Sequence, residues 1–567
     1  MAAKLENMRG QRCVIRAQRI ERDLIFTPII SITLVATLAL CHSAFGAIIR
    51  VPQDSPSISN AFALSTHGDT ILVSNGLYQE TVNVPQGLRT LASRFIFSGD
   101  EQDVTTTVMM PLDTVFADTA TVLYLAEQCS LHVIGLTFAY GKGIRRSNGR
   151  REGGAIYATL SSLHVTNCAF ENCFADFGVC IWTGSGTDVA IRKSCFLGNG
   201  RVDGVTFSQG CIRSNDGEIF VDSCRFSHNT VTGAAAIVAS ECIFTVENCV
   251  VDSNFNMSAS LSAVTSDNSE LYIRNCLFAD NVHGNIFTGS CVGGDGQSAV
   301  VEDCSFLRNT GTSTLLLTQD SVAVRDCTFE GNIAVERNPA CVHLGYGHNV
   351  VERCVFVSNA APRWATLTSN NTAWIRECFF SENTASDDSG AVMSSGLDSL
   401  ILEECAFENN SPYAFSTDFW WYDGYVDARN CYWGAPSGPF HAQLNPDGDG
   451  DAILGSDVLF VPWLTEPPLS SEERIAPAVN EFGVAKAYPN PFNSTVTIEY
   501  ALTREQKVKL DIYDVLGRNV ETLFNDRQSA GVHSILWQAD SFTSGVYFAK
   551  LSSLHSNSQT VKLLLLK

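Results

Sequence analysis

Few side chains in this 567-residue chain stand where they could do chemistry together. Asp447, Asp449 and Asp451 alternate with Gly448 and Gly450 as the oxygen ligands of calcium loops do, and they are the metal candidates. Val458 and Leu459 stand where the closing glutamate of such a loop would be. Asp387 and Asp388 are adjacent in a polar stretch, whereas an inverting carboxylate pair needs a gap of about 6.5–9.5 Å, so they are expected to be a solvated turn. Trp420 and Trp421 are neighbours, and neighbours in a strand point to opposite faces, so one ring can lie outside and stack on a sugar. Trp182, Trp364, Trp374 and Tyr422 share that possibility, with core packing as the competing reading. Between Ile48 and Glu466 the only lysines are Lys142 and Lys193, and the chain carries a net charge of −23. That field opposes nucleic acid, anionic membrane and polyanionic ligands generally. No cofactor is expected.

The elements that would position such groups are repeats. Phe138, Phe170, Phe196, Phe226, Val251, Phe278, Phe306, Phe329, Phe356, Phe380, Phe407 and Trp433 are spaced 23 to 32 residues apart. Two residues before each stands Leu136, Cys168, Ser194, Cys224, Cys249, Cys276, Cys304, Cys327, Cys354, Cys378, Cys405 or Cys431, and three residues after most of them stands an asparagine, from Asn199 to Asn410. Within a copy, Leu271 and Ile273 and then Cys276 and Phe278 alternate with period two, with a slip at Arg274-Asn275 that a two-residue corner explains. A unit this short cannot bury its own apolar face, but units stacked in parallel can. The expected fold is an all-β parallel β-helix. The cysteines then become core filler; they lack Cys-x-x-Cys spacing and would form a line, so a metal cluster is not expected. The asparagines become bend residues. Arg192, Asp222, Glu247, Arg274, Glu302, Arg325, Glu352, Arg376, Glu403 and Arg429 fall on one corner, and from Glu247 onward they alternate in sign, which favours one register over a slipped one.

Residues 1–46 carry five arginines, an apolar run from Leu24 to Leu40 and small residues at Ala44 and Gly46, the order of a secretory signal with a long basic leader. Cleavage after Gly46 would leave no stable membrane span. The β-helix is expected over 47–466, with helix-like spacing in 55–64 that would cover its open end, looser coils over 86–130, and a secure phase only from Leu131. A proline-bearing linker follows over 467–483. The last segment, 484–567, changes to short alternating strands, a small β-sandwich.

Gly153-Gly154-Ala155-Ile156, the Cys-x-Phe-x-x-Asn copies and the closing Cys431-Tyr432-Trp433-Gly434 resemble secreted bacterial right-handed parallel β-helix proteins of the pectate-lyase-like superfamily, and the likeness speaks to fold and not to activity. Lyases of that superfamily use calcium carboxylates with Arg or Lys. The polygalacturonase-like pattern needs a Gly-His-Gly and an Arg-x-Lys element; His348 follows Gly347 but precedes Asn349, and the second element is absent. In the last segment Pro489-Asn490-Pro491-Phe492, Gly517, and Gly545 with Tyr547 resemble the type A sorting domain of type IX secretion substrates, related to an Ig-like domain of flagellar hook-capping proteins. That resemblance implies the outer-membrane secretion machinery as a partner and a secreted or cell-surface location on a Gram-negative bacterium. The expected function is a binding or structural protein, adhesin-like or glycan-binding, with glycans or surface proteins as ligands. The alternative is a polysaccharide hydrolase or lyase on the same scaffold.

Overall fold

A computed structural model describes residues 46–112, 119–125, 127–200, 208–256, 262–283, 291–335, 339–363, 366–386, 390–394, 400–416, 426–455, 458–468, 483–488, 490, 492–502, 506–515, 517–528, 531–539, 541–553 and 559–566. The leader 1–45 and the Asp387-Asp388 pair lie outside this set. From Ile48 to Leu459 the strands wind as a parallel β-helix with three sheets of 28, 13 and 7 strands.

The period-two alternation lands where it was expected. Leu271 and Ile273 point into the core and pair with Phe244 and Val246 of the coil before and Ala299 and Val301 of the coil after. The two-residue corner is Asn275-Cys276, one residue later than the slip suggested, since Arg274 is still in strand. Its first residue is left-handed in coil after coil: Asn167, Ser223, Asn248, Asn275, Asp303, Asp326, Arg353, Glu377 and Glu404 all have φ between 50° and 55°. Such a kink turns the next N–H away from the parallel ladder, and a buried N–H needs a partner. The following residue of the next coil supplies one. Cys224 and Cys249 donate their N–H groups to the sulfurs of Cys249 and Cys276 at 3.4 Å, and Cys168 donates to Ser194 Oγ at 3.1 Å. Each thiol in turn donates to carbonyls, as Cys276 does to Arg274 at 3.2 Å and Val246 at 3.6 Å. Serine at 194 does the same, donating to Arg192 O at 2.9 Å. Burial pushes the Cys168 thiol up to about 12 and the Cys341 thiol well above its usual value. Among the described cysteines Cys195 is the exposed one.

The second corner repeats this device with an amide. Asn254 donates its N–H and Nδ2 to Asn281 Oδ1 at 3.1 and 3.0 Å, Asn281 does the same to Asn309, and the column runs unbroken from Asn199 to Asn410. Between the corners the aromatic column stacks ring on ring from Phe138 to Phe226 and from Phe278 to Trp433, with centroids 4.6–5.1 Å apart. Val251 sits in register between the two runs.

The charged corner forms the expected ladder. Arg274 reaches Glu247 and Glu302 at 3.8 and 3.3 Å, Arg325 reaches Glu302 and Glu352 at 3.0 Å each, and Arg376 reaches Glu352 and Glu403 at 3.8 and 3.0 Å. Arg429 forks onto Asp427, two residues before it, at 2.8 and 2.6 Å. These groups are a fifth to a half exposed, so each pair contributes about 0–1 kcal/mol and register is their larger effect.

The early coils are more regular than the sequence suggested. Ile48 pairs with Thr70, Thr70 with Thr90, and Arg89 with Leu131, so the winding holds from the start. What disguises it is a corner filled by two short helices, Phe95–Ser98 and Glu101–Thr105, where later coils have two residues. A helix over Ile58–Leu64 puts Ile58, Ala61 and Phe62 into the core. Glu80 accepts from the N–H groups of Ile58 and Ser59 at 2.9 and 2.8 Å and anchors its first turn.

Residues 483–566 form antiparallel sheets of three and four strands around a separate core of Val496, Ile498, Leu510, Trp537, Leu551 and Leu563, among others. Among the described residues no helix is long and apolar enough to cross a membrane.

Candidate functional site

The calcium candidates do not converge. Asp451 closes the asparagine column: its carboxylate accepts the N–H groups of Asn409 and Asn410 at 2.8 and 2.9 Å and Asn410 Nδ2 at 2.7 Å. Burial raises its pKa, against those three hydrogen bonds, which favour the ionised form. Asp449 is exposed and pairs with Ser437, which donates to it at 3.2 Å, and Asp447 is exposed. The alternation with glycine therefore serves the close approach of this loop to the last coil, where a Cβ on Gly450 would meet Trp433 O at 2.2 Å. Among the described residues no group of three His, Cys, Asp or Glu side chains is placed to hold a metal ion. Trp420 and Trp421 lie outside the described residues, as do Trp364 and Tyr422. Trp374 is half-buried, and Trp182 stacks on Tyr157 at 4.5 Å, which in turn stacks on Tyr124 at 5.4 Å. The ring faces in that row are turned to one another along the winding axis, so edges and not faces are left for a sugar.

The sorting-motif residues hold the last strand. Asn490 donates to Lys562 O at 2.7 Å and accepts from Leu564 N–H at 2.8 Å, and Phe492 is buried against Trp537 with its N–H on Leu564 O at 2.9 Å. Gly517, at φ +74°, lets the turn close so that Arg518 reaches Asp514 at 2.7 Å. Tyr547 donates to Thr543 O at 2.9 Å and meets Trp537 edge-on. Asp514, Arg518, Phe542, Gly545 and Tyr547 line one cleft of about 410 Å³. Pro489 and Pro491 lie outside the described residues.

A site that sequence reasoning missed lies on the outward row of the 28-stranded sheet. Successive coils place Tyr157, Trp182, Arg213, Val238, Thr265, Gly293 and Leu316 there in register. Where the row shrinks to Thr265 and Gly293 it opens a polar cleft of about 440 Å³, a size suited to a small ligand or a sugar. Gln209, Arg213, Ser240, Asp267, Asp295 and Thr318 bring its polar groups. Arg213 donates to Gln209 Oε1 at 2.6 Å and lies 4.9 Å over the Phe177 ring. Burial lowers its pKa, with Asp267 and Glu152 opposing that shift. Ser266 pairs with Gly294, so Asp267 and Asp295, the next residue of each, stand on successive coils. Asp295 accepts Asn268 N–H at 2.7 Å. The signal available in the sequence was the fall in side-chain size along this row, ending in Gly293-Gly294, but it needs the register to be read.

Two family models match the chain: a right-handed β-helix region over residues 210–373 and again over 315–431, and a secretion-system C-terminal sorting domain over 486–566. Solved structures similar to it include the Siphovirus 9NA tailspike receptor-binding domain (10% identity, 92% of this chain and 99% of that one, TM-score 0.31). The polygalacturonase from Erwinia carotovora ssp. carotovora is similar at 9% identity, 75% and 96% coverage and TM-score 0.23. A tailspike protein of E. coli bacteriophage HK620 in complex with a pentasaccharide is similar at 12% identity, 87% and 86% coverage and TM-score 0.28. No curated protein matches the chain. The chain is a right-handed parallel β-helix protein that ends in a secretion-system C-terminal sorting domain, which marks it for type IX export to the surface or surroundings of a Gram-negative cell.

Proposed function

We propose that the exported β-helix acts as a binding protein that takes glycans into the cleft around Arg213. The carrying observation is its lining. Gln209, Arg213, Ser240, Asp267, Asp295 and Thr318 offer amide, guanidinium, hydroxyl and carboxylate groups, which between them donate to and accept from a sugar's hydroxyls. Val238 and Leu316 beside them supply apolar contact for the C–H faces of a sugar ring. Residues 1–46 act as a removable signal and 484–567 as the sorting domain, with 467–483 as the linker between functions.

One observation favours the enzymatic alternative: two carboxylates on successive coils beside a cation are the raw material of a hydrolase. A panel of neutral and acidic polysaccharides decides between them, with binding read by calorimetry and turnover by reducing ends and unsaturated-product absorbance. Binding without turnover, weakened at least tenfold in D267N, supports the proposal. Product formation that D267N or D295N abolishes makes the chain an enzyme, and failure of every polysaccharide to bind overturns both readings.

A further inference from the structure

The hairpin beside this cleft is charged against the rest of the chain. Lys142, Arg145, Arg146, Arg150 and Arg151 fall within ten residues that contain no Asp or Glu, in a chain whose net charge is −23. It is a built element: Gly143–Arg145 pairs antiparallel with Arg151–Glu152, and Arg146 N–H and Gly149 N–H close the turn on Arg150 O and Arg146 O at 2.7 and 2.9 Å. Gly149 takes φ +83°, which a side chain would resist. Arg146 is fixed by Tyr157 OH at 2.9 Å and Glu152 at 2.9 Å. Arg145, Arg146 and Arg150 are exposed.

The hairpin is joined to the cleft through one ring. The Arg150 guanidinium lies 5.0 Å over Phe177 and that of Arg213 lies 4.9 Å over the same ring, so the two guanidinium carbons are within about 10 Å of each other. Arg213 also lines the cleft. A chain of cations therefore runs from the hairpin into the candidate sugar site.

We propose that this hairpin selects glycans carrying sulfate or phosphate esters and seats one such ester between Arg150 and Arg213. This rests on the reading of the cleft as a glycan site. Each guanidinium is a planar fork that takes two oxygens at once. A planar carboxylate presents one such edge and is used up by one fork. A tetrahedral ester has three terminal oxygens and presents edges in different directions, so two forks that approach from different residues can share it. Glu152 and Asp267 stand close enough to act on Arg213 and work against an anion there, so the paired forks must outweigh them; carboxylates farther away than a Debye length of about 8 Å are largely screened at physiological salt.

The test uses the full secreted chain on surfaces bearing heparin, phosphomannan, polygalacturonate and dextran, at low and physiological salt. The wild type is compared with R145Q, R150Q and R150K, with circular dichroism to check folding. The expected result is binding to heparin or phosphomannan at least tenfold tighter than to polygalacturonate and dextran, weakening as salt rises. R150Q should weaken it at least tenfold, and R150K, which keeps the charge and loses the fork, should fall between. Which of heparin and phosphomannan binds identifies the ester. Equal binding to polygalacturonate or dextran, or heparin and phosphomannan binding that R145Q and R150Q leave unchanged, overturns the proposal. If dextran then still binds and D267N weakens it, the cleft remains a glycan site and only the arm has failed.

Discussion

Replacing Asn281 with alanine takes four hydrogen bonds out of the middle of the amide column. Asn281 Oδ1 accepts the N–H and Nδ2 of Asn254 at 3.1 and 3.0 Å, and its Nδ2 donates to Val251 O at 2.7 Å and Asn309 Oδ1 at 3.0 Å. Asn309 Oδ1 keeps a second donor, the Asn281 N–H at 3.1 Å. The Asn254 N–H and one of its two Nδ2 hydrogens are therefore left buried and unmet, the other Nδ2 hydrogen keeping Phe226 O at 2.8 Å, and each unmet donor costs about 1–3 kcal/mol. The expected loss is about 3–5 kcal/mol by guanidinium denaturation of the secreted chain. Because each coil touches only its neighbours, amide exchange should accelerate around Asn254 and Asn281 and leave the distant coils protected. Asn281→Asp gives a second reading. Its carboxylate would still accept from Asn254 but would face the Val251 and Asn309 oxygens without a hydrogen to offer. Its pKa would therefore be raised in the folded state, and N281D should gain stability relative to wild type as pH falls toward 4, while N281A should not. A loss below 1 kcal/mol for N281A, or exchange that rises uniformly along the chain, would refute the column as a source of stability.

Acid sensitivity is expected from His132 and His164, whose rings stack at 4.6 Å on adjacent coils. Burial lowers the pKa of both, and His132 and Arg192 lower that of His164 further while Asp188 opposes. The unfolded chain then takes up protons first, near pH 6.5, so their contribution is full above that pH and is lost as pH falls through the folded values. The double variant H132Q/H164Q should lose less stability than wild type between pH 7 and 5; an equal loss would contradict this. Iodoacetamide should modify Cys195 in the native protein, while Cys276, Cys304 and Cys327 react only after denaturation. Peptide mass mapping reads the difference, and native labelling of Cys276 would disprove its burial.

The parts of this molecule that were legible in its sequence are those repeated coil by coil. Cys276, Phe278 and Asn281 recur at one spacing because each touches its own copy one coil away, so contact and periodicity carry the same information. The charged corner was legible for the same reason, since Arg274 and Glu302 meet only if the register is right. The helices at 95–105 hid the early register because an insertion at a corner changes the spacing without changing the pairing. Arg213 and Asp267 were missed because the cleft is a departure from the repeat, visible only once the rows are laid side by side. The cationic hairpin was missed because net charge and a lysine count average over the chain, whereas the five cations of 142–151 act locally. Asp451 was read by its neighbours in sequence, Gly448 and Gly450, when its partners are Asn409 and Asn410.

The carboxylate that ends the amide column also says where such a protein can grow. Every asparagine from 199 to 410 accepts on one side and donates on the other, so an extra coil spliced between two of them would meet matching groups above and below. Asp451 can only accept. A duplicate of that final segment placed inside the stack would bury an anion with no donor role to play toward the next coil. Gene duplication can therefore lengthen this protein from within the asparagine column, while a copy of the Asp451 segment would interrupt it.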